Sequence, residues 1–421
     1  MAFITAFVRD ILSQPAVLVG IATLIGLIAL RKSASDVLVG TFKAVMGFLI
    51  LVAGAATLIG SLDKLGPLLT EGFGIRGVVP NNEAIVALAQ DILGPETALI
   101  MVFGFVANIL YARFTPLKYI FLTGHHTFYM ACLLSAVLGT AGLSGAFLVI
   151  VGSLILGALM VLMPAWADKV MQKITGGDEI SLGHFGTLGY MASAYVGKLV
   201  GNPEDSIEDV KMPKGLGFLR EPLVLTAIVM AIIFIITVLF AGVTFTQELS
   251  GGQNAIVFAI MQALTFAAGV AVVLVGVRMI LAEIVPAFKG IAEKIVPDAK
   301  PALDCPVVFP FAPTAVIVGF LSSFVAGIIG MLLLGPIGLV IIVPGLVPHF
   351  FCGATAGVFG NTTGGKRGAI IGAFVHGLII SLLPALLLPV LGALGFEGTT
   401  FGDADFGWVG IVLGYIARLF K

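Results

Sequence analysis

Charge is what this chain has least of. Only 11% of its 421 residues are Asp, Glu, Lys or Arg, against about a quarter in an ordinary soluble domain. The 22 basic and 23 acidic residues leave a formal net charge of −1, so no field of one sign points to a nucleic-acid partner. Cysteine is scarce as well. Cys132, Cys305 and Cys352 are odd in number and scattered through apolar runs, which excludes a disulfide framework, fits no zinc spacing, and leaves core packing as the reading. There is no HExxH, no P-loop and no Rossmann glycine fingerprint. Gly142-Leu143-Ser144-Gly145 could hold a serine nucleophile, with His376 as a distant partner. It falls between two apolar runs, where a tight turn accounts for it. The chain calls for no cofactor and no metal. Neither end carries a hydrophilic domain, and MAFITAFVRDILSQ, with Arg9 and Asp10, reads as a short interfacial helix rather than a signal peptide. Soluble chemistry is therefore expected from other polypeptides.

Apolar residues are present in excess: 59% of the chain, with a mean hydropathy of +1.14. No single soluble core needs so many, and an integral membrane protein follows. Runs that could cross a bilayer are 15–31, 38–60, 97–112, 118–140, 143–165, 222–243, 255–281, 313–334, 336–358, 368–394 and 404–420. Those at 118–140, with Gly124-His125-His126, and 336–358, with Pro344-Gly345 and Pro348-His349, are broken in the manner of re-entrant segments. Amphipathic stretches at 61–76 and 282–300 are expected to lie along the interface.

The polar stretch 201–221 separates two halves, 1–200 and 222–421, that share a pattern. Pro80–Glu83 matches Pro301–Asp304, and Gly124 matches Gly345, both 221 residues on. Gly157 with Pro164-Ala165 recurs as Gly377 with Pro384-Ala385, at 220. His184-Phe185-Gly186 and Gly189 recur as Asp405-Phe406-Gly407 and Gly410, again at 221. One offset over four separated blocks argues for a duplicated all-α membrane fold, inverted if each repeat crosses an odd number of times. Lysines and arginines around 31–43 and in the linker place those segments in the cytoplasm.

An ionisable side chain at membrane depth costs about 2.5–3.5 kcal/mol, so each one asks for a reason. Glu83, His125, His126, His184 and Asp304 all adjoin broken or Gly-rich segments. Loop or helix-end positions touching water would explain them without function. His349 and His376 read as satisfied core or surface histidines, and Arg278 with Glu283 as an interfacial anchor.

Several strings together carry a likeness: LRKS (30–33), LTGHHTF (122–128), SLGHFG (181–186), SIEDVK (206–211), GVRM (276–279), LDC-x5-FAP-x-AV (303–316) and VPGLVPHFFCGATAGVFGN (343–361). In this order they resemble the ascorbate-type enzyme IIC permeases of the bacterial phosphoenolpyruvate-dependent phosphotransferase system. The resemblance implies about eleven transmembrane segments in the bacterial cytoplasmic membrane. It implies a homodimer in the lipid bilayer, with a V-shaped dimerisation domain and a mobile core that carries the sugar between re-entrant hairpins. It also implies that cytosolic IIB, phosphorylated on cysteine, phosphorylates the delivered sugar, with IIA, HPr and enzyme I upstream. The motif positions expected at the sugar are His125, His184 and Asp304, the last a possible proton acceptor. Tyr129 and Phe185 stand where the family's glutamines are expected, and Asn82 and Glu83 where a Thr-Tyr pair is. Fewer amide donors and an added carboxylate suit an anion such as ascorbate less well, so a neutral pentose or alditol stays open beside it. An ion-coupled secondary transporter is the rival from another class.

Overall fold

The computed structural model describes residues 14–74, 77–210, 221–294, 296–391 and 399–418. The interfacial segment with Arg9 and Asp10, and the linker bases Lys211, Lys214 and Arg220, lie outside the described residues. A backbone in lipid must satisfy its own polar groups, and this one does so chiefly as helix. The first half comprises α1 (Pro15–Ala29), α2 (Ala34–Phe73), α3 (Asn82–Phe114), α4 (Gly124–Thr140), α5 (Gly145–Thr175) and α6 (Thr187–Val200). After the linker come α7 (Pro222–Ala241), α8 (Val243–Ser250), α9 (Ala255–Lys294), α10 (Pro313–Leu334), α11 (Leu346–Arg367), α12 (Ala373–Leu387) and α13 (Ala404–Arg418). Their ends are chemically marked. Ser33 caps α2 by accepting the Asp36 N–H at 3.1 Å, Gly74 closes it at φ 64°, and prolines open α1, α7 and α10.

Among the described residues, six helices are long and apolar enough to cross a bilayer, or seven if α7 and α8, bent by 115° at Gly242, form one span. Eleven apolar runs give fewer such helices for identifiable reasons. The helical parts of the runs 336–358 and 368–394 belong to one bent helix, Leu346–Val390, and α1, α4 and α13 have only 15, 17 and 15 residues. The stretches 61–76 and 282–300 are not separate interfacial elements either; residues 61–73 continue α2, and 282–294 continue α9. Leu62, Leu65 and Leu68 keep one buried stripe running at helical spacing.

Where the chain leaves helix, short strands take over. β2 (Tyr119–Phe121) and β3 (Ser181–Leu182) run parallel on either side of β4 (Lys300–Leu303). Their register pairs Phe121 with Ala302 and Leu182 with Leu303. The second sheet follows the same plan with the halves exchanged. β1 (Val79–Pro80) pairs parallel with β5 (Thr399–Thr400), while Val78 bridges Ile342. The start of β4 is tied to α5 by Lys300, whose ammonium meets Asp168 at 3.2 Å and also Asp178. Burial alone would lower that ammonium's pKa, but the two carboxylates outweigh it and hold it above its ordinary range.

The described part of the linker is docked on the second half. Glu208 accepts the Thr314 and Ala315 N–H groups at 3.1 and 2.8 Å, capping α10 from outside its own strand of sequence, and Asp205 pairs with Lys366 at 2.9 Å.

α2 and α9 are both 40 residues long and begin at 34 and 255, 221 apart. Their axes approach closely because glycines meet backbone. A Cβ on Gly54 would lie 2.6 Å from the Val273 amide nitrogen, and one on Gly276 would collide with that of Leu51. Lipid supplies no hydrophobic drive between helices, so such packing and the Ser61 hydroxyl donating to the Gln262 carbonyl at 2.7 Å hold the pair. Overpacking a contact of this kind costs about 1–3 kcal/mol. Gly276→Leu should therefore lower the apparent Tm of the purified protein by several degrees. Gly60→Leu, on the same pair but with open space around it, should leave it unchanged; equal Tm values for both variants would rule out the glycine contact.

Candidate functional site

Three parallel strands end side by side, and each delivers polar residues from its C-terminal end. β2 leads through Leu122-Thr123 into His125 and His126 at the start of α4. β3 leads to His184, and β4 to Asp304 and Cys305. Backbone bonds just past the strands keep the three ends level, Leu122 N–H to Ala302 O at 2.9 Å and Gly183 N–H to Leu303 O at 2.7 Å. The other sheet supplies Asn81 and Asn82 after β1 and Asp403 after β5. Together they line a cavity of about 400 Å³, within the range of small-molecule sites. The facing wall is apolar and comes from α2, with Phe48, Leu51, Val52, Ala55 and Ile59.

Two carboxylates organise the polar wall. Asp304 has His125 Nε2 at 3.4 Å from one oxygen and His184 Nε2 at 3.8 Å from the other. Its Oδ1 also accepts the Cys305 N–H at 2.7 Å. Asp403, only 4% exposed, accepts from the Asn82 amide at 3.0 Å and the Cys352 thiol at 3.1 Å. His126 Nε2 stands 3.7 Å from it. The Asn82 carbonyl oxygen in turn accepts the Gly402 N–H at 2.9 Å, locking the start of α3 to the loop before α13.

The histidines are oriented from behind. The Tyr190 hydroxyl meets His184 Nδ1 at 2.8 Å, and the Phe185 N–H donates to His126 Nδ1 at 3.4 Å. The loop carrying His184 is pinned by Asp405, whose carboxylate accepts the Thr187 and Leu188 N–H groups at 2.8 and 2.9 Å. Asp405 thereby caps α6 from the far end of the chain, and its own N–H donates to Phe185 O at 3.0 Å.

Of the residues singled out in the sequence, His125, His184, Asp304, Tyr129 and Asn82 share this cavity. Phe185 does not face it. The ring is fully buried and stacks on Phe121 at 4.9 Å, so position 185 offers the site only its backbone. The alternation of side chains past β3 explains this: His184 is turned inward, so its neighbour points away. Glu83 is the second residue of α3, and its side chain lies outside the described residues. Cys305 and Cys352 are buried, as core packing requires, yet they also lie on the cavity wall. Asp403 and Asn81 escaped sequence reasoning. Asp403 stands two residues before the repeat-matched Asp405, which is the signal that could have found it.

Residues 10–405 match the profile of the PTS system sugar-specific permease component family. The chain belongs to that family. It is also 28% identical over 419 residues to the ascorbate-specific PTS system EIIC component of Mycoplasma pneumoniae, covering 87% of this chain and 63% of that protein. This permease thus spans under two thirds of the relative's length. Family membership and the apolar helices make it a multi-pass membrane protein.

A buried amide without partners costs about 1–3 kcal/mol, and the lost aromatic packing adds to it. Phe185→Gln should lower the permease's apparent Tm more than Tyr129→Gln, whose ring is half-buried at the cavity. Thermal unfolding of the two purified variants checks this; a Phe185→Gln protein as stable as wild type would return position 185 to the cavity.

Proposed function

We propose that this permease is the IIC component of a phosphotransferase system that carries L-ascorbate across the bacterial cytoplasmic membrane for phosphorylation by a cytosolic, cysteine-phosphorylated IIB protein. IIA, HPr and enzyme I supply the phosphate upstream. The observation that carries this reading is Asp304, held between His125 and His184 in a cavity at the ends of three strands. An ionised carboxylate accepts two hydroxyl protons, and flanking imidazoles donate or accept as the ligand requires. That is the chemistry of polyol recognition. Asp304 also stands where it could accept the proton from the hydroxyl that attacks phosphate once IIB is docked. The permease positions the sugar, and IIB supplies the phosphoryl group.

The fold reading belongs to the same proposal. Two inverted repeats, 1–200 and 222–421 around the linker 201–221, build a core that moves the sugar past a dimerisation unit in a homodimer. The equal lengths and 221-residue spacing of α2 and α9 support it. So do two sheets in which a strand of each half lies beside strands of the other. A site that forms where repeats meet is expected of such transporters.

A neutral pentose or alditol is the second reading, and one observation favours it. Two carboxylates, Asp304 and Asp403, face the cavity with Tyr129 beside them, and an anion would have to enter against both. Membrane vesicles loaded with phosphoenolpyruvate and the soluble partners should accumulate phosphorylated ascorbate, and Asp304→Asn should cut binding about tenfold or more, the value of hydrogen bonds to a charged group. Accumulation of a phosphorylated pentitol instead selects the second reading. Uptake that ignores phosphoenolpyruvate and collapses with an ionophore makes the protein an ion-coupled transporter.

A further inference from the structure

A second concavity lies away from the cavity, on the apolar outer face between α3 and α5. The two helices run parallel and close. A Cβ on Gly152 would lie 2.7 Å from the Ile100 side chain, and one on Gly157 would meet Ala107 at 2.5 Å. Beside this seam runs a groove of about 650 Å³. Its rims are Phe103 and Leu110 on α3 and Ile150 and Leu154 on α5, each at least half exposed. Its floor holds the buried Ala107 and Ser153. The Ser153 hydroxyl already donates to the Val149 carbonyl at 2.6 Å, so the floor asks for no hydrogen bond and hydrocarbon matches it.

Charge is confined to the two ends of this groove. Glu96 lines one of them. Phe103, Val106, Leu110 and Arg113 follow at steps of three and four residues along one face of α3, so Arg113 stands one turn beyond the other end. The Arg113 guanidinium lies 5.9 Å from the Phe114 ring, and Lys118 Nζ donates to the Ala112 and Arg113 carbonyls at 3.2 and 3.3 Å. Neither cation pairs with a carboxylate among the described residues. From Glu96 to Arg113 the helix extends about 25 Å, more than one leaflet's share of a hydrocarbon core about 30 Å thick. α5 runs the same way and carries the exposed Lys169 and Lys173 further on, so the positive-inside rule puts the Arg113 end at the cytoplasmic face. Trp166, whose indole donates to the Tyr195 hydroxyl at 3.1 Å, marks the interface at that end.

We propose that the groove binds one anionic phospholipid of the cytoplasmic leaflet, with an acyl chain between α3 and α5 and the phosphate on Arg113. Lys118 adds charge beside it. The polarity of the groove fixes the direction, because a phosphate at the other end would meet Glu96. A zwitterionic head group brings its own ammonium and gains less from two uncompensated cations. The site also bears on the cavity from behind. Asn108, next to Ala107 of the floor, accepts the Phe121 N–H at 3.1 Å and donates to the Tyr119 carbonyl at 3.0 Å. An acyl chain in the groove thus packs on the turn of α3 that holds β2, the strand leading to His125. The site does not depend on which sugar the permease carries.

The test is fluorescence quenching in the full-length protein, reconstituted in phosphatidylcholine bilayers that carry brominated phosphatidylglycerol or brominated phosphatidylcholine as a minor component. Val106→Trp puts a fluorophore on the groove's rim, and Leu332→Trp, at a position 64% exposed on α10, is the control; quenching is read as the excess over wild type. At position 106 the brominated anionic lipid should bind about fivefold or more tighter than the zwitterionic one, the gain expected per cation near a membrane surface. At position 332 the two should be equal. Arg113→Gln in the Val106→Trp protein should bring the anionic lipid about fivefold closer to the zwitterionic one, Arg113→Lys should keep most of the preference, and high salt should shrink it. If Val106→Trp does not fold, native mass spectrometry of wild type and Arg113→Gln decides, with one phosphatidylglycerol retained per chain by the former and lost by the latter. Equal quenching by both lipids at 106 would mean a non-specific lipid annulus, and quenching by neither would mean that another protein surface covers the groove. Either result, or a preference that survives Arg113→Gln undiminished, would overturn the proposal.

Discussion

A backbone that leaves its helix inside an apolar protein has to find hydrogen-bond partners at once, and that constraint shapes this molecule. Here the partners are other broken segments. The ends of β2, β3 and β4 pair with one another, and those of β1 and β5 do likewise, with Ile342 alongside. Parallel pairing forces the strands to finish together. Whatever residues come next in each segment are therefore gathered in one place, although they are as far apart in sequence as His125 and Asp304. The polar site is a consequence of paying for the breaks.

That arrangement also distributes rigidity. The histidines and carboxylates are held by neighbours that are themselves fixed: Tyr190 behind His184, Asn82 and Cys352 on Asp403, and Asp405 at the first turn of α6. The opposite wall, from α2, makes only apolar contact with the cavity and belongs to a helix pair joined through glycines to α9. Polar groups in such a network resist displacement, because each leaves an unsatisfied partner when it moves. An apolar wall can slide past without that penalty.

The cavity's electrostatics bear on selectivity. Asp304 and Asp403 line one cavity, and each is faced by imidazole. A hydroxyl can donate a hydrogen bond to either carboxylate, and a negative charge beside them is repelled. Tyr129, edge-on to His125 at 5.7 Å, adds a flat surface. Asn82 and Tyr129 thus stand on the same cavity wall as the histidines and carboxylates.

How much of this was legible in the sequence depends on the physics involved. Composition and apolar runs were enough for an all-α membrane protein, since length and hydropathy are local properties. The motifs were enough for the family and, through that resemblance, for expecting Asp304, His125 and His184 at a sugar; cost at membrane depth alone marked them only as residues in need of a reason. Local pattern failed where a property is relational. Apolar runs at 336–358 and 368–394 could not reveal that their helical parts join in one bent helix, Leu346–Val390. Nor could the neighbourhood of Phe185 show that its ring turns into the core against Phe121. Asp403 lies in no motif, and Cys305 and Cys352 lie in motifs that gave them no role; they matter because segments from opposite halves bring them to one cavity with His126 and Asp304. Which residue types this protein can use was written in the chain. Which of them share a cavity was decided only by the pairing of segments remote in sequence, because hydrogen bonds between broken backbones act through space and leave no periodic trace along it.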